Sequence, residues 1–293
     1  MSVESTSSAT ELLFNAAKKP VFVPKSDADK WQAIFNKHKG NIWAAYEEDS
    51  KLFTQITPLW ACTAVPVNGD NHLTNEQAKI IFPLLAQDTN WDLGKFPKLT
   101  SECLEHLPKQ VKWLVMPQKT NYGHFKYLTR LENLRYVFIY HAPTGSEGDL
   151  KYLSELPLER LQMPLLAQSI RIAAILPPTL VILQLAAGEL SDNHLSEFLK
   201  EKATKLKNFY LSRVTGITAG PFVHATKLDL EQLFVDLCPD VDKTQFLACA
   251  GEKKGRSVRH MNTREIEMAK EAHARHAAQA TKDATVKPES KSS

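Results

Sequence analysis

The chain of 293 residues, 43% of them apolar and 24% charged, has the composition of a folded globular protein, which excludes a disordered or fibrous one. Its 36 Lys and Arg against 33 Asp and Glu leave a net charge of +3, too mild for a protein built to coat nucleic acid. The four cysteines form no CxxC pair, which fits a reduced cytoplasmic chain rather than a disulfide or zinc framework.

The first ten residues are polar and offer no secretory signal. Residues 11–87 read as helical. Ser26 and Asp29 suit a helix start before Trp31, Ile34 and Phe35; a second helix is expected from Asn41 to Ile56, ending before Pro58. Thr74 and Gln77 form a capping box before Ile80, Ile81, Phe82 and Leu85. Trp31, Trp43 and Trp60 are expected in the core of this segment.

From residue 88 onward an apolar triplet recurs: Val111-Leu114-Met116, Leu134-Val137-Ile139, Leu158-Leu161-Met163, Leu180-Leu183-Leu185, Leu206-Phe209-Leu211 and Leu230-Leu233-Val235. The steps between first residues are 23, 24, 22, 26 and 24, and Asp88-Trp91-Leu93 is a weaker member 23 residues upstream. All eighteen triplet positions are Leu, Val, Ile, Met or Phe, types that make up 81 of the 293 residues. The chance of that is on the order of one in ten thousand even after allowing for the choice of register and spacing. The apolar stretch from Ile170 to Gly188 is broken by Arg171, Pro177 and Pro178, so it reads as buried core and not as a membrane span.

The triplet and its spacing resemble the leucine-rich repeat family, whose unit is a strand reading L-x-x-L-x-L followed by a helix or 3₁₀ turn. The resemblance covers roughly Leu85 to Cys249. Connectors at Glu147 to Leu153, Ser169 to Leu176 and Asp192 to Lys200 carry apolar residues at helical spacing. The resemblance implies an α/β solenoid of about seven repeats over 88–250, with parallel strands on a concave face and helices or 3₁₀ turns on a convex face. Residues 1–87 would form an all-helical N-terminal cap, because the first unit of a solenoid exposes an apolar edge. The family's Asn after the triplet is replaced by Lys119, Ala142, Leu166, Gly188, Val214 and Cys238, so the turns are expected to be irregular and their backbone groups satisfied by other means.

Residues 251–293 hold ten Lys and Arg against six Asp and Glu and read as a basic tail, helical in part and otherwise disordered. Asn262 and Glu265 form a second capping box there. The Lys253, Lys254, Arg256 and Arg259 cluster is expected to be solvated, with nucleic acid touched only weakly if at all.

Little in the chain points to chemistry. No phosphate-binding, nucleophile-elbow or zinc-protease motif occurs. Cys238-Pro239-Asp240 resembles the Cys-x-Asp site of a bacterial class of leucine-rich-repeat ubiquitin ligases, but Cys238 falls inside the last repeat, where a packed cysteine is expected. His260, His273 and His276 lack the further ligands that a metal site needs, so neither metal nor cofactor is expected.

Side chains beside the inward positions of a strand point to the opposite face. That rule places Trp113, Tyr136, Phe138, Tyr140, Arg160, Gln162, Gln184, Tyr210 and Phe234 on the concave surface, an aromatic row where water-facing residues are expected. The expectation is a non-enzymatic recognition protein, cytoplasmic and without membrane contact, that binds a protein or peptide through this face. The alternatives are a substrate adaptor of a ubiquitin ligase, a secreted bacterial effector delivered into a host cell, a nuclear protein, a structural subunit of a larger assembly and a Cys238-dependent enzyme.

Overall fold

The computed structural model describes residues 11–14, 20–23, 29–30, 33–34, 36–39, 41–55, 73–85, 89–164, 171–251, 253, 255–262 and 265. Strands β1 (Glu11–Phe14) and β2 (Pro20–Val23) pair antiparallel in a two-stranded sheet of their own. The all-helical reading of the N-terminal segment is thereby corrected. Val21, Phe22 and Val23 are β-branched or aromatic and lie between Pro20 and Pro24, a context that disfavours a helix.

The helix expected over 41–56 is two helices, α1 (Ile42–Glu48) and α2 (Ser50–Gln55). Asn41 caps the first by accepting from the Ala44 N–H at 3.1 Å. Asp49 breaks the run because its carboxylate accepts from the Leu52 N–H at 2.8 Å and starts a new helix. Helix α3 (Asn75–Leu84) opens on the expected box, with both reciprocal bonds between Thr74 and Gln77 present. It buries Ile81 and Phe82, the latter edge-on to Trp91 at 4.7 Å. Trp43 packs partly buried against the core, whereas Trp31 and Trp60 lie outside the described residues.

Eight parallel strands then follow in chain order: β3 (Asn90–Asp92), β4 (Trp113–Val115), β5 (Tyr136–Phe138), β6 (Arg160–Pro164), β7 (Ile182–Glu189), β8 (Asn208–Thr215), β9 (Gln232–Asp236) and β10 (Ser257–Met261). They form one open sheet in which each strand pairs with the next, so the molecule is α/β with its edges at β3 and β10. The middle apolar residues lie side by side across it, Trp91, Leu114, Val137, Leu161, Leu183, Phe209, Leu233 and Val258. All but Val258 are 0% exposed. The stretch from Ile172 to Leu185 is largely core, as its apolar content implies.

The eighth strand lies beyond the expected boundary at 250. Its triplet positions are Gly255, Val258 and His260, so only the middle one keeps the apolar pattern. Arg256 fixes this strand to the preceding unit: its guanidinium donates to the carbonyls of Ala225, Leu228, Leu230 and Ala250 at 2.7–3.2 Å. Lys253 donates to the Leu228 carbonyl at 3.3 Å and Arg259 pairs with Asp236 at 2.5 Å. Lys253, Arg256 and Arg259 are therefore not simply solvated, and Lys254 lies outside the described residues. Asn262 and Glu265 make both bonds of their capping box at 2.9 Å, and the rest of the tail falls outside the described residues.

Connections on the other side of the sheet are 3₁₀ helices at Ser101–His106, Tyr122–Arg130, Glu147–Glu155 and Gly220–Lys227, and α-helices α4 (Ile172–Ile175), α5 (Asp192–Glu201) and α6 (Lys243–Ala250). Polar side chains satisfy a first N–H group in five of these seven helices. Thr100, Asn121, Ser146, Ser191 and Asp242 each accept from a backbone N–H at their helix start. Bonds also run between units. Ser101, fully buried, accepts from the Asn121 N–H at 2.8 Å, Asp192 takes the Thr218 N–H and hydroxyl at 2.6 Å each, and Asp240 takes the Gly216 N–H at 2.8 Å.

Candidate functional site

The strands present two full rows of side chains on the face opposite the helices, and β6 to β10 add a shorter third, Pro164, Ala186, Ser212, Asp236 and Met261. One full row runs Asn90, Trp113, Tyr136, Arg160, Ile182, Asn208, Gln232 and Ser257; the other runs Asp92, Val115, Phe138, Gln162, Gln184, Tyr210, Phe234 and Arg259. The strand phase read from the triplets thus places the candidate residues together, since their neighbours in each strand are the buried ladder.

The rings form two groups. In the first, Trp113 lies 5.2 Å from Phe138, which is 6.3 Å from Tyr140 in a near-stacked pair. Tyr140 is 57% exposed, Trp113 and Tyr136 are half-buried, and Phe138 is only 6% exposed. The expectation that Phe138 stands open to solvent is therefore corrected: strand alternation sets its direction, but Trp113, Tyr140 and Arg160 cover it. In the second group, Tyr210 meets Phe234 edge-on at 5.3 Å and hydrogen-bonds Gln232. Half-buried Gln162 and Gln184 lie between the two groups.

Charge on the face is sparse. Arg259, which the sequence pattern assigns to the tail, stacks over the Phe234 ring at 4.2 Å and pairs with Asp236. Its signal was the 25-residue step from Leu233 to Val258, close to the preceding spacings. Arg160 lies 5.0 Å over the Phe138 ring. The Tyr136 hydroxyl donates to Glu159 at 3.1 Å, and this bond to a carboxylate raises the phenol above its ordinary range.

The candidate nucleophile sits elsewhere. Cys238 is 3% exposed, and burial pushes its thiol up to about 11, which keeps it protonated and poorly nucleophilic at neutral pH. It borders a cleft of about 490 Å³ at the ends of β9 and β10, with Asp240, Asp242, Lys243 and His260 also on its walls. Asp242 is committed to capping α6, Asp240 to the Gly216 N–H and Lys243 to Glu265. His260 is buried against Phe246 at 5.8 Å. Among the described residues no group of three or more His, Cys, Asp and Glu is placed to hold a metal ion, and His273 and His276 lie outside them. Also among them, no helix is long and apolar enough to cross a membrane. No protein-family model and no curated protein matches the chain.

Proposed function

We propose that this chain is a non-enzymatic recognition protein of the leucine-rich repeat type, acting in the cytoplasm and binding a peptide or helical segment of a protein partner across the aromatic face of its parallel sheet. The observation that carries this reading is the pair of aromatic groups, Trp113 with Tyr136, Phe138 and Tyr140, and Tyr210 with Phe234, set on one face with few charges. Rings of this kind, partly covered at the base and open at the rim, are the usual anchors of protein interfaces.

The size of the face limits the partner. Eight strands about 4.8 Å apart span roughly 34 Å, and three outward residues along a strand, at every second position, span about 13 Å. The resulting few hundred Å² is below the ~800 Å² per partner of a standard interface, so a helix or an extended peptide fits and a globular partner must also use the rims. The test is selection of a phage-displayed library of random sixteen-residue peptides on the immobilised full chain. Peptides are expected to enrich on the native chain and on the helix-side control Lys200→Ala, and to be lost on Trp113→Ala and Tyr210→Ala. No enrichment, or peptides retained equally by both aromatic variants, overturns the reading.

A further inference from the structure

Among the charged side chains of the two face rows, Asp92 meets Lys95 at 3.4 Å and Arg259 meets Asp236 at 2.5 Å. Arg160 has no carboxylate partner among the described residues, and its guanidinium lies over the Phe138 ring. The neighbouring segment 165–170 contains no Asp or Glu in its sequence. Glu159, next to it in the chain, is engaged by the Tyr136 hydroxyl and lies 3.8 Å from Arg135. Arg160 is half-buried, and a guanidinium that meets a ring and no carboxylate keeps N–H groups for a ligand, in the planar fork that matches a carboxylate. With its guanidinium already set over Phe138, it would bind an acid with little further loss of side-chain freedom.

We propose that the segment bound by this face is an acidic peptide: an Asp or Glu side chain takes the Arg160 guanidinium while apolar side chains on either side seat against the Trp113–Tyr140 and Tyr210–Phe234 groups. This rests on the recognition reading above and adds the partner's chemistry to it. A polyanion such as nucleic acid is disfavoured, because it gains from several clustered cations and these rows hold one unpaired cation among the described residues.

Strand spacing sets the pattern within the peptide. From β5, which carries Phe138, to β8, which carries Tyr210, is three strand intervals or roughly 14 Å, and Arg160 on β6 is one interval, about 5 Å, from Phe138. An extended peptide advances about 3.3 Å per residue. Its acid should therefore follow the first apolar anchor by one or two residues, and its second anchor should follow the first by about four. In a helix, rising about 1.5 Å per residue, the same distances become about three and about nine residues.

The experiment uses the peptides enriched on the full chain. The tightest is synthesised with its acid intact and with the acid changed to the amide, and both are titrated against the native chain, Arg160→Gln and Arg160→Lys, each checked for an unchanged cooperative melt. Enriched sequences are expected to share an Asp or Glu between two apolar residues. The amide form should bind the native chain at least tenfold more weakly yet differ little from the acid form on Arg160→Gln, with Arg160→Lys intermediate. If Arg160→Gln fails to fold, the native chain alone decides: acid-peptide affinity must fall more steeply than amide-peptide affinity between low and high salt. Peptides that depend on Trp113 and Tyr210 but carry no acid, or whose amide form behaves alike on native and Arg160→Gln chains, overturn this inference and leave recognition standing. Failure to enrich any peptide removes both.

Discussion

Gly145 shows how tightly single positions are specified on the helix side of the sheet. Its φ is +95°, and a Cβ built there would lie 2.6 Å from Asn121 Oδ1, the atom that caps the 3₁₀ helix by accepting from Gly123 N–H at 2.8 Å. Gly145→Ala therefore combines backbone strain with a broken cap and should destabilise by about 1–3 kcal/mol, read as a lower denaturation midpoint with an unchanged slope. A midpoint equal to the native one would contradict the placement of this turn. On the opposite face, Phe138 and Trp113 separate two roles that the strand pattern alone merges. Phe138 is 6% exposed, so Phe138→Ala should cost about 3 kcal/mol of stability as well as binding, whereas half-buried Trp113→Ala should lose binding with the smaller stability change. Equal effects of the two on the melting temperature would show that cover by neighbouring rings does not distinguish them. That distinction was invisible in the sequence because it depends on residues one strand away in each direction.

At the level of elements, the core strands were legible because their side chains repeat with a period of two inside a period near 24, and burial follows the middle residue of each triplet. The capping boxes at Thr74 and Asn262 were equally legible, being local chemistry over four residues. What escaped was set by distant contacts. β10 keeps only Val258 of the triplet and is held instead by four guanidinium bonds to carbonyls of the preceding unit. A second hidden feature is the column of left-handed residues at Ala187, Arg213 and Leu237, with φ of 54°, 57° and 58°, which turns the ends of β7, β8 and β9 in step so that Val214 and Cys238 are buried. None of the three is glycine, so composition gave no hint of it. Arg256→Met should destabilise by about 2–3 kcal/mol through unsatisfied carbonyls, and a chain ending at Ala250 should lose stability further by exposing the edge of β9. Both are checked by chemical denaturation; a chain ending at Ala250 as stable as the full one would place β10 outside the cooperative unit.

For the whole molecule, the order of strands and the side on which each residue lies followed from the triplets, while the grouping of the face into two aromatic clusters around neutral Gln162 and Gln184 required the pairing register. Recognition by this protein turns on whether a partner sits on that face. Nuclear magnetic resonance of the full chain, deuterated and titrated with an enriched peptide, measures this directly. Recognition through the sheet predicts shifts at the Trp113 indole N–H, the Arg160 guanidinium and the amides of Gln162, Gln184 and Tyr210, with the helix-side residues Val223 and Leu247 unmoved. Shifts confined to those exposed helix-side residues or to the Cys238 cleft, with the aromatic face silent, would contradict it.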